Sequence, residues 1–301
     1  MNDSHDVIVI GGGAAGLSGA LTLSRARRSV LVIDAGRPRN APAGHAHNYL
    51  GREGVNPLEL LRIGRAEVEG YGGEIRAGEA VKAAKTATGF TVQLADGSTV
   101  DGRRLLVATG LTDELPDIPG VAQRWGADVL HCPYCHGWEV RDQSIGVLGC
   151  SEMSAHQALM WRQWSADITF YLNDVVELDD TRRRQFEARG IRVVEGKVRS
   201  LDDLDHQAFV VAPKARSNAD VLSALGLDAV ENPAGTYVPA DGEATEIPGV
   251  WVAGNVTNPM EQLIGVAAAG VRAAAAINLD LITEETEAAV AARTVCSAGS
   301  C

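Results

Sequence analysis

The N-terminal segment, residues 6–36, constrains the fold more than any other part of the chain; it reads DVIVIGGGAAGLSGALTLSRARRSVLVIDAG. VIVI predicts a buried strand, the periodic apolar stretch predicts a helix, and VLVID predicts a second buried strand. Gly11, Gly13 and Gly16 form a GxGxxG pattern at the first turn. Such glycines allow a tight turn, close approach of a pyrophosphate and helix-on-strand packing. The segment therefore predicts a βαβ unit that binds an adenine dinucleotide, the alternative being a turn with a purely steric role.

Asp34 ends the second predicted strand, 18 residues after Gly16, where a carboxylate can accept hydrogen bonds from a ribose diol. This unit alone does not separate NAD from FAD. Two later segments add information: LLVATGL, residues 105–111, predicts a buried strand and a Thr-Gly turn, and residues 249–278 predict a strand, a Gly-Asn turn and an Ala/Gly-rich helix. Small residues on that helix permit close packing against a strand or a bound ring system.

The composition excludes several classes of protein. A chain of 301 residues, 46% hydrophobic and 22% charged, can form one large domain or two ordinary ones. The net charge of −12 and the scattered Lys and Arg residues argue against binding to nucleic acid or to an anionic membrane. The N-terminus lacks a basic signal region, and no uninterrupted apolar run reaches about 20 residues. We therefore expect a soluble, cytoplasmic protein.

The segment HCPYCHGWE, residues 131–139, places Cys132 and Cys135 in a CxxC pattern. A zinc site needs four ligands, and the body of the chain has no second close cysteine pair, so no metal is expected. An inert disulfide across so short a loop would stabilise little. Five cysteines, an odd number, also do not resemble the disulfide framework of a small secreted domain. The pattern favours a redox centre that works by thiol-disulfide exchange.

The order of the motifs is itself informative: GGGAAG, ATG, CxxC, a second nucleotide-type turn and TEIPGVWVAGN follow one another along the chain. In this the sequence resembles the FAD-dependent pyridine nucleotide-disulfide oxidoreductases, in particular the low-molecular-weight thioredoxin reductase group. The resemblance implies an α/β fold of two Rossmann-like three-layer nucleotide-binding domains, the second inserted in the first. The implied division is a discontinuous FAD-binding domain of residues 1–115 plus 242–290, an inserted NAD(P)-type domain of residues 116–241 carrying the CxxC, and a flexible cysteine-containing tail, residues 291–301.

The resemblance also implies a homodimer and a set of FAD-binding positions. Asn255 stands where the reductases usually have Asp, although either side chain can hydrogen-bond a ribityl hydroxyl. The implied FAD-binding residues are Gly11, Gly13, Ala14, Ala15, Gly16, Asp34, Ala108, Thr109, Gly110, Gly254, Asn255, Gln262 and Leu263.

The second nucleotide turn departs from the family pattern. The family has GxGxxA or GxGxxG there and binds NADPH, whereas this chain has Gly149, Ser151 and Ser154. A side chain at the middle position obstructs a pyrophosphate. The next strand ends in YLND, residues 171–174, where the family usually places a His-Arg-Arg run for the 2′-phosphate. We expect this domain to keep the fold and to have lost NADPH.

Roles at the redox centre follow from the resemblance. The second cysteine of the motif, Cys135, would face the flavin, and the first, Cys132, would exchange with substrate. His136 replaces the usual aspartate and can act as acid and base. CxxCHG with a degenerate nucleotide turn resembles the dithiol oxidase branch, the gliotoxin and holomycin oxidases, in which flavin passes electrons from a substrate dithiol to oxygen. We therefore expect oxidation of a small-molecule dithiol; the alternatives are an NADPH-dependent reductase of a disulfide, including that of a thioredoxin-like protein, and a non-enzymatic flavin redox sensor.

Several further residues are candidates for contact with substrate or for electron relay. His45 and His47 either line the substrate pocket or are ordinary loop histidines. Trp138, with Trp161 and Trp164, forms either an aromatic wall or part of the core, and the helical spacing of the last two favours the core. The cysteines near the C-terminus are incidental thiols, a relay to Cys132 or, least expected, metal ligands: Cys296 and Cys301.

Overall fold

The computed structural model describes residues 4–233 and 235–298, and it opens with the expected βαβ unit. Val7–Ile10 and Val30–Ile33 pair in parallel and are buried on both faces, as their continuous apolar sequence predicts. The first elements are β1 (Ser4–Ile10), α1 (Ala14–Arg25), β2 (Val30–Asp34), α2 (Pro57–Gly70), β3 (Glu74–Ala77), β4 (Ala80–Lys85), β5 (Phe90–Leu94) and β6 (Thr99–Val107).

The remaining elements alternate strands with short helices. They are β7 (Leu111–Glu114), α3 (Val121–Arg124), β8 (Val129–Leu130), α4 (Pro133–His136), β9 (Ile145–Leu148), α5 (Met153–Trp161), β10 (Ile168–Tyr171), α6 (Asp180–Arg189), β11 (Arg192–Val194), β12 (Ala208–Val210), β13 (Lys214–Ser217), β14 (Val230–Asn232), β15 (Gly235–Tyr237), β16 (Val250–Val252) and α7 (Leu263–Ala298). Three 3-10 helices also occur: Leu201–Asp203, Asp220–Leu225 and Gly254–Val256.

The first domain is built on a seven-stranded sheet of order β3-β2-β1-β6-β5-β4, with β16 also paired to β6. On the edge away from β1, strand β6 has two partners: its first half pairs antiparallel with β5, and its second half pairs parallel with β16. One face of the sheet is covered by α1, α2 and α7, and the other by the chain around residues 219–238, where side chains of the edge strands β4 and β5 join the same core. Because β1 and β6 are buried by both layers, the turns that follow them are held rigidly at the carboxyl edge of the sheet.

Helix α7 packs closely against α1, which is why its sequence is rich in small residues. A Cβ added at Gly270 would lie 2.0 Å from the Ala15 carbonyl oxygen, and one at Gly19 would lie 3.1 Å from that of Gly270. By length and composition alone, residues 263–294 could cross a membrane, a test that core helices of globular proteins also pass. Here Ala273, Ala274 and Ile277 of this helix are buried in the first domain.

The second domain has a five-stranded sheet, β11-β10-β9-β12-β8, in which all neighbouring strands pair in parallel. Strand β9, the turn after it, α5 and β10 repeat the arrangement of β1, α1 and β2. The predicted α/β class with Rossmann-type sheets is therefore confirmed.

The division expected at residues 116 and 241 stays a prediction, and the packing of the segments at the two crossings is as follows. Strands β7 and β13, which lead into and out of it, pair antiparallel within a small sheet of order β14-β15-β13-β7. Residues 219–238 then carry Val221, Leu222 and Val238 into the core of the first domain. These side chains, from Ala219 onward, pack on the face of the first sheet opposite α1.

Residues 291–298, which we expected to begin a mobile tail, continue helix α7. The side chain of Cys296 and all of Cys301 lie outside the described residues, so the relay hypothesis for these two cysteines stays a prediction.

Candidate active site

The redox turn is formed by Cys132 and the four-residue helix α4. Cys132 is the residue before the helix, Pro133 starts it, and the N–H groups of Cys135 and His136 bond to the Cys132 carbonyl at 3.1 and 3.2 Å. Proline is suited to this first position because it has no N–H to satisfy. The turn brings the two cysteines together as free thiols in a partly buried setting.

The two thiols have unequal acidities. The pKa of Cys132 is lowered to about 7, first because the Cys135 thiol donates a hydrogen bond to it, with smaller contributions from the N–H groups of Cys135 and Tyr134. The same hydrogen bond, together with burial, raises the pKa of Cys135. The reduced pair therefore holds its proton on Cys135 and presents Cys132 as the thiolate, the form that attacks or leaves in disulfide exchange.

Arg39 adds positive charge to this site. Its guanidinium forms a bidentate pair with Asp113 on β7, at 2.8 and 2.7 Å, and its charge lowers the pKa of both cysteines. Sequence reasoning did not identify Arg39, because it lies in a loop some 90 residues before the CxxC. No local pattern marks such a contact.

His136 is half-buried, and burial lowers its pKa, with the charge of His47 acting in the same direction and that of Glu139 opposing it. A lowered pKa keeps the imidazole neutral near pH 7, the form that accepts a proton. Within the described residues, no hydrogen bond joins its ring to either cysteine. The structure thus places His136 next to the pair without fixing a proton path.

A loop of the first domain, residues 46–55, reaches the redox turn; we call it the arm. Its Asn48 side chain donates a 2.6 Å hydrogen bond to the carbonyl of Tyr134, the residue between the proline and the second cysteine. His47, which sequence reasoning singled out, contacts Glu53 at 2.6 Å and Glu139 at 3.5 Å. His45 has its ring centroid 6.3 Å from that of His47 and is exposed. Asn48 and Glu53 were missed by the sequence, as both look like ordinary loop residues.

The three tryptophans separate into two environments. Trp161 is fully buried in the core of the second domain, whereas Trp164 is half-buried and packs against Trp161 and, in a T-shaped contact, against Tyr134. Trp138 is 65% exposed, with the Arg141 guanidinium 4.1 Å from its ring centroid. The structure therefore does not assemble an aromatic wall from the three, and leaves Trp138 alone as a candidate for substrate contact.

The first glycine turn has the shape of a pyrophosphate cradle. Cβ atoms added at Gly11 and Gly16 would lie 2.4 and 1.9 Å from backbone oxygens, so these two glycines close the turn. At Gly13 a Cβ would meet nothing within 4 Å, and no side chain caps the start of α1. The space beside Gly13, at the N-terminal end of α1 where Ala14 and Ala15 begin the helix, is therefore open to a phosphate.

Asp34 ends β2 and lies beside this turn, so close that a Cβ added on Gly12 would lie 2.4 Å from its carboxylate. Its carboxylate also accepts hydrogen bonds from the Gly36 N–H at 3.0 Å and from the Arg65 guanidinium. Arg65, on α2, was not foreseen, since the sequence gives no sign that α2 approaches the end of β2. A ribose at Asp34 would share the carboxylate with Arg65.

The turn after β6 contains an unpartnered polar group. The Thr109 hydroxyl is buried and has no hydrogen-bond partner among the described residues, while Ala108 before it is buried and Gly110 after it has φ +68°. Buried hydroxyls are normally satisfied, so an orphan at the mouth of a nucleotide fold indicates a place for a ligand.

Asn255 holds the turn between β16 and α7 in place. Its Nδ2 donates to the carbonyls of Asn258 and Glu261 at 2.9 and 3.0 Å, which leaves Oδ1 as an acceptor for a ribityl hydroxyl. Gly254 has φ +82°, and Gln262 and Leu263 form the start of α7. With the open cradle at Gly13 and the orphan Thr109 hydroxyl, these residues fit FAD.

In the turn after β9, a side chain of the turn itself bonds to backbone N–H groups. Ser154 is fully buried, and its hydroxyl accepts hydrogen bonds from the N–H groups of Cys150 and Ser151 at 3.0 and 3.2 Å. Asn173, at the end of β10, donates to the Gly149 carbonyl at 3.0 Å. Two N–H groups of this turn, those of Cys150 and Ser151, are thus already bonded within the protein.

An open cleft of about 450 Å³ remains beside this turn, lined in part by Cys150, Asn173, Lys197 and Arg199. Burial raises the pKa of Cys150 to about 11, so this thiol is not activated. The arginines of α6, residues 182–184, lie at its start, where Arg182 bonds to Gln185 and Arg183 to the Leu178 carbonyl.

Comparison with known proteins gives a consistent result over nearly the whole chain. The family model described as pyridine nucleotide-disulphide oxidoreductase matches residues 5–274. The thioredoxin reductase sirT of Leptosphaeria maculans is 31% identical over 310 residues, covering 92% of this chain and 94% of that protein.

Solved structures agree with this. The crystal structure of HlmI is 44% identical, with a TM-score of 0.91, covering 96% of this chain and 97% of HlmI. An oxidoreductase from Agrobacterium tumefaciens is 35% identical, with a TM-score of 0.89, covering 94% and 99%.

Proposed function

Since the chain belongs to the pyridine nucleotide-disulphide oxidoreductase family, we propose that it oxidises a substrate dithiol to a disulfide through Cys132, Cys135 and bound FAD, with oxygen as the final electron acceptor. The observation that carries the direction of electron flow is the Ser154 hydroxyl, which occupies two N–H donors of the turn where a nicotinamide cofactor would bind. Weak binding of NADPH at this turn would leave the thiol substrate as the electron donor in the proposed reaction.

FAD would be held in the first domain. The N-terminal end of α1 would bind the pyrophosphate, Asp34 the ribose, and the turns at Thr109 and Asn255 the flavin end. When bound, FAD accepts two electrons from the reduced cysteine pair and delivers them to oxygen, which is released as hydrogen peroxide.

The substrate reaction uses the protein's own side chains. A substrate thiolate attacks the Cys132 sulfur of the oxidised pair, so a substrate–Cys132 disulfide forms and Cys135 leaves as a thiolate. The second substrate thiol then displaces Cys132 and the product leaves as a disulfide. The pair has gained two electrons and the substrate has lost two. His136, neutral because burial lowers its pKa, accepts a substrate thiol proton.

The alternative is an NADPH-dependent reductase of a protein or small-molecule disulfide, and one observation favours it. The cleft beside the second turn is open and carries two cations, Lys197 and Arg199. Relatives are also named thioredoxin reductases, and one is a bifunctional thioredoxin reductase/thioredoxin of Mycobacterium leprae, 28% identical over 203 residues. A redox sensor without turnover is the third possibility.

Anaerobic mixing separates these functions. The oxidised, flavin-loaded protein is mixed in one syringe with NADPH and in another with dithiothreitol, and the flavin absorbance is followed. We expect dithiothreitol to bleach the flavin and NADPH to leave it oxidised, with Cys132→Ser abolishing the dithiothreitol reaction. After air is admitted, one hydrogen peroxide should form per disulfide. Bleaching by NADPH and not by dithiothreitol would contradict the oxidase, and slow bleaching by both would favour the sensor.

Three further properties belong to the same proposal. The substrate is a small-molecule dithiol rather than a thioredoxin-like protein, the chain acts in the cytoplasm, and it forms a homodimer as its resemblance to the thioredoxin reductase group implies. Sedimentation equilibrium of the flavin-loaded protein tests the dimer, and a monomer at micromolar concentration would contradict it.

A further inference from the structure

The arm, residues 46–55, is a loop with its own internal bonding. The Ala46 N–H donates to the Val55 carbonyl at 2.8 Å, and the Gly54 N–H donates to the Ala46 carbonyl at 3.0 Å, so its two ends are tied together. Inside the arm, the Glu53 carboxylate accepts the Asn48 N–H at 2.9 Å and contacts the His47 ring at 2.6 Å. These bonds fix the backbone of residues 47 and 48 at the side facing the second domain.

Asn48 has a left-handed backbone conformation. Its φ is +60°, a left-handed value that asparagine adopts more readily than other residues with a side chain. From there its amide donates a 2.6 Å hydrogen bond to the Tyr134 carbonyl, and His47 reaches Glu139 at 3.5 Å. The first domain therefore contacts the chain on both sides of Cys135.

We propose that Asn48 is a positioning residue of the redox pair, holding the Cys132–Cys135 turn at a fixed orientation to the first domain. A four-residue helix has no stability of its own, so its orientation depends on contacts such as this one. Tyr134 precedes Cys135 directly, and fixing its carbonyl limits rotation of the peptide that carries the second thiol. The inference rests on the proposed function only in that the pair exchanges electrons with FAD, in either direction.

Two variants isolate the amide from the backbone. Asn48→Gly keeps the positive φ at no steric cost and removes the amide. Asn48→Asp keeps the size and shape and replaces the donor with an acceptor. Leu50→Ala is the matched control, because Leu50 lies in the same arm and is 93% exposed.

The first measurement is hydrogen exchange by mass spectrometry on the oxidised, flavin-loaded proteins. We expect the rate of hydrogen exchange in residues 131–140 to rise about two- to tenfold in both Asn48 variants and to stay unchanged in the control. A factor of this size corresponds to the loss of one hydrogen bond of ordinary strength. The thermal midpoint should be the same in all four proteins, because the arm adds little to either core.

The second measurement follows electrons between flavin and cysteines. The flavin is reduced anaerobically with light and a deazaflavin, and the appearance of free thiols is followed by quenched alkylation; the transfer should be about tenfold slower in the Asn48 variants. Unchanged hydrogen exchange, or raised exchange with unchanged electron transfer, would overturn the positioning role. Because light rather than substrate starts the transfer, failure of dithiothreitol to bleach the wild-type flavin would count against the proposed function and not against Asn48.

Discussion

The hydroxyl of Ser154 accepts a 3.0 Å hydrogen bond from the backbone N–H of Cys150, and Ser154 is fully buried. The same hydroxyl accepts a hydrogen bond from the Ser151 N–H at 3.2 Å, so two N–H groups of a nucleotide-type turn are bonded within the protein. Under the proposed function, a pyrophosphate that used these two N–H groups would first have to displace the Ser154 hydroxyl.

Replacing the two serines of this turn by the residues of the family pattern should raise the affinity for NADPH. The double variant Ser151→Gly with Ser154→Ala recreates the GxGxxA pattern and frees two N–H donors. We expect its affinity for NADPH to rise at least about tenfold over wild type, since hydrogen bonds to charged groups contribute about 1.5–3 kcal/mol each. Isothermal titration calorimetry measures this, with Ser151→Ala as the control. Equal affinities in all three proteins would show that the Ser154 hydroxyl does not close the site.

Two neighbouring glycines should behave differently when changed to alanine. Gly13→Ala places a methyl group in open space, so the protein should fold with its thermal midpoint unchanged in the flavin-free state and yet bind little FAD. Gly16→Ala places a methyl group 1.9 Å from the Gly11 carbonyl oxygen and should disrupt the turn and lower the midpoint. Flavin absorbance per protein and thermal unfolding measure both effects. Full flavin content in Gly13→Ala would mean that the pyrophosphate lies elsewhere.

The reduced pair should titrate as one acidic thiol. With the pKa of Cys132 at about 7, the rate of its alkylation by iodoacetamide should rise with pH to a midpoint near that value. Cys135→Ala removes the donated hydrogen bond, so the midpoint should move upward toward that of an ordinary thiol. Mass spectrometry of the alkylated peptide identifies which cysteine reacted, and preferential labelling of Cys135 in wild type would contradict the assignment.

His136 should set the acidic side of the pH profile. Because burial lowers its pKa, the neutral base persists below the ordinary range of histidine and is lost only at lower pH. We expect His136→Ala to reduce dithiol turnover about a hundredfold and to remove that acidic limb. Glu139→Gln is a useful companion, since Glu139 raises the pKa of His136 and its removal should shift the limb to lower pH. An unchanged profile in His136→Ala would show that another group takes the proton.

Acid should weaken the attachment of the C-terminal half of α7. The guanidinium groups of Arg28 and Arg103 bond to Glu285 at 2.6 and 2.7 Å and lower its pKa to about 2. The stability that this carboxylate contributes is thus complete above its unfolded value near 4.5 and is lost as pH falls toward 2. Glu285→Gln should lower the thermal midpoint at pH 7 and lower it progressively less between pH 4.5 and 2, whereas Glu287→Gln on the same helix should not. A constant difference across that range would exclude this linkage.

The parts of the molecule that follow from local sequence could be predicted. Gly11, Gly13 and Gly16 act through spacing within one turn, and the CxxC acts through spacing within another, so a reader of the sequence can locate both. The degenerate turn was recognised in the same way, from Ser151 and Ser154. What the sequence did not reveal is that the Ser154 hydroxyl accepts hydrogen bonds from two N–H groups of that turn.

The contacts that join distant segments could not be predicted. Arg65 pairs with Asp34 across 31 residues, Arg39 acts on cysteines in another domain, and Asn48 reaches Tyr134 across 86 residues. Each of these residues has an unremarkable neighbourhood in the sequence, and only the packing of the sheets brings it to its partner. The same is true of residues 219–238, whose apolar side chains belong to a core built mainly from earlier strands.

Strands β7 and β13 pair antiparallel with Leu111 opposite Ser217 and Glu114 opposite Lys214. In topological terms, the whole second domain is therefore the loop of a β-hairpin that belongs to the first. Its two ends leave from adjacent points, so a short turn between Glu114 and Lys214 would close the first domain's chain without crossing its core. The FAD cradle depends on none of the residues that such a turn would replace, whereas the redox turn is lost entirely.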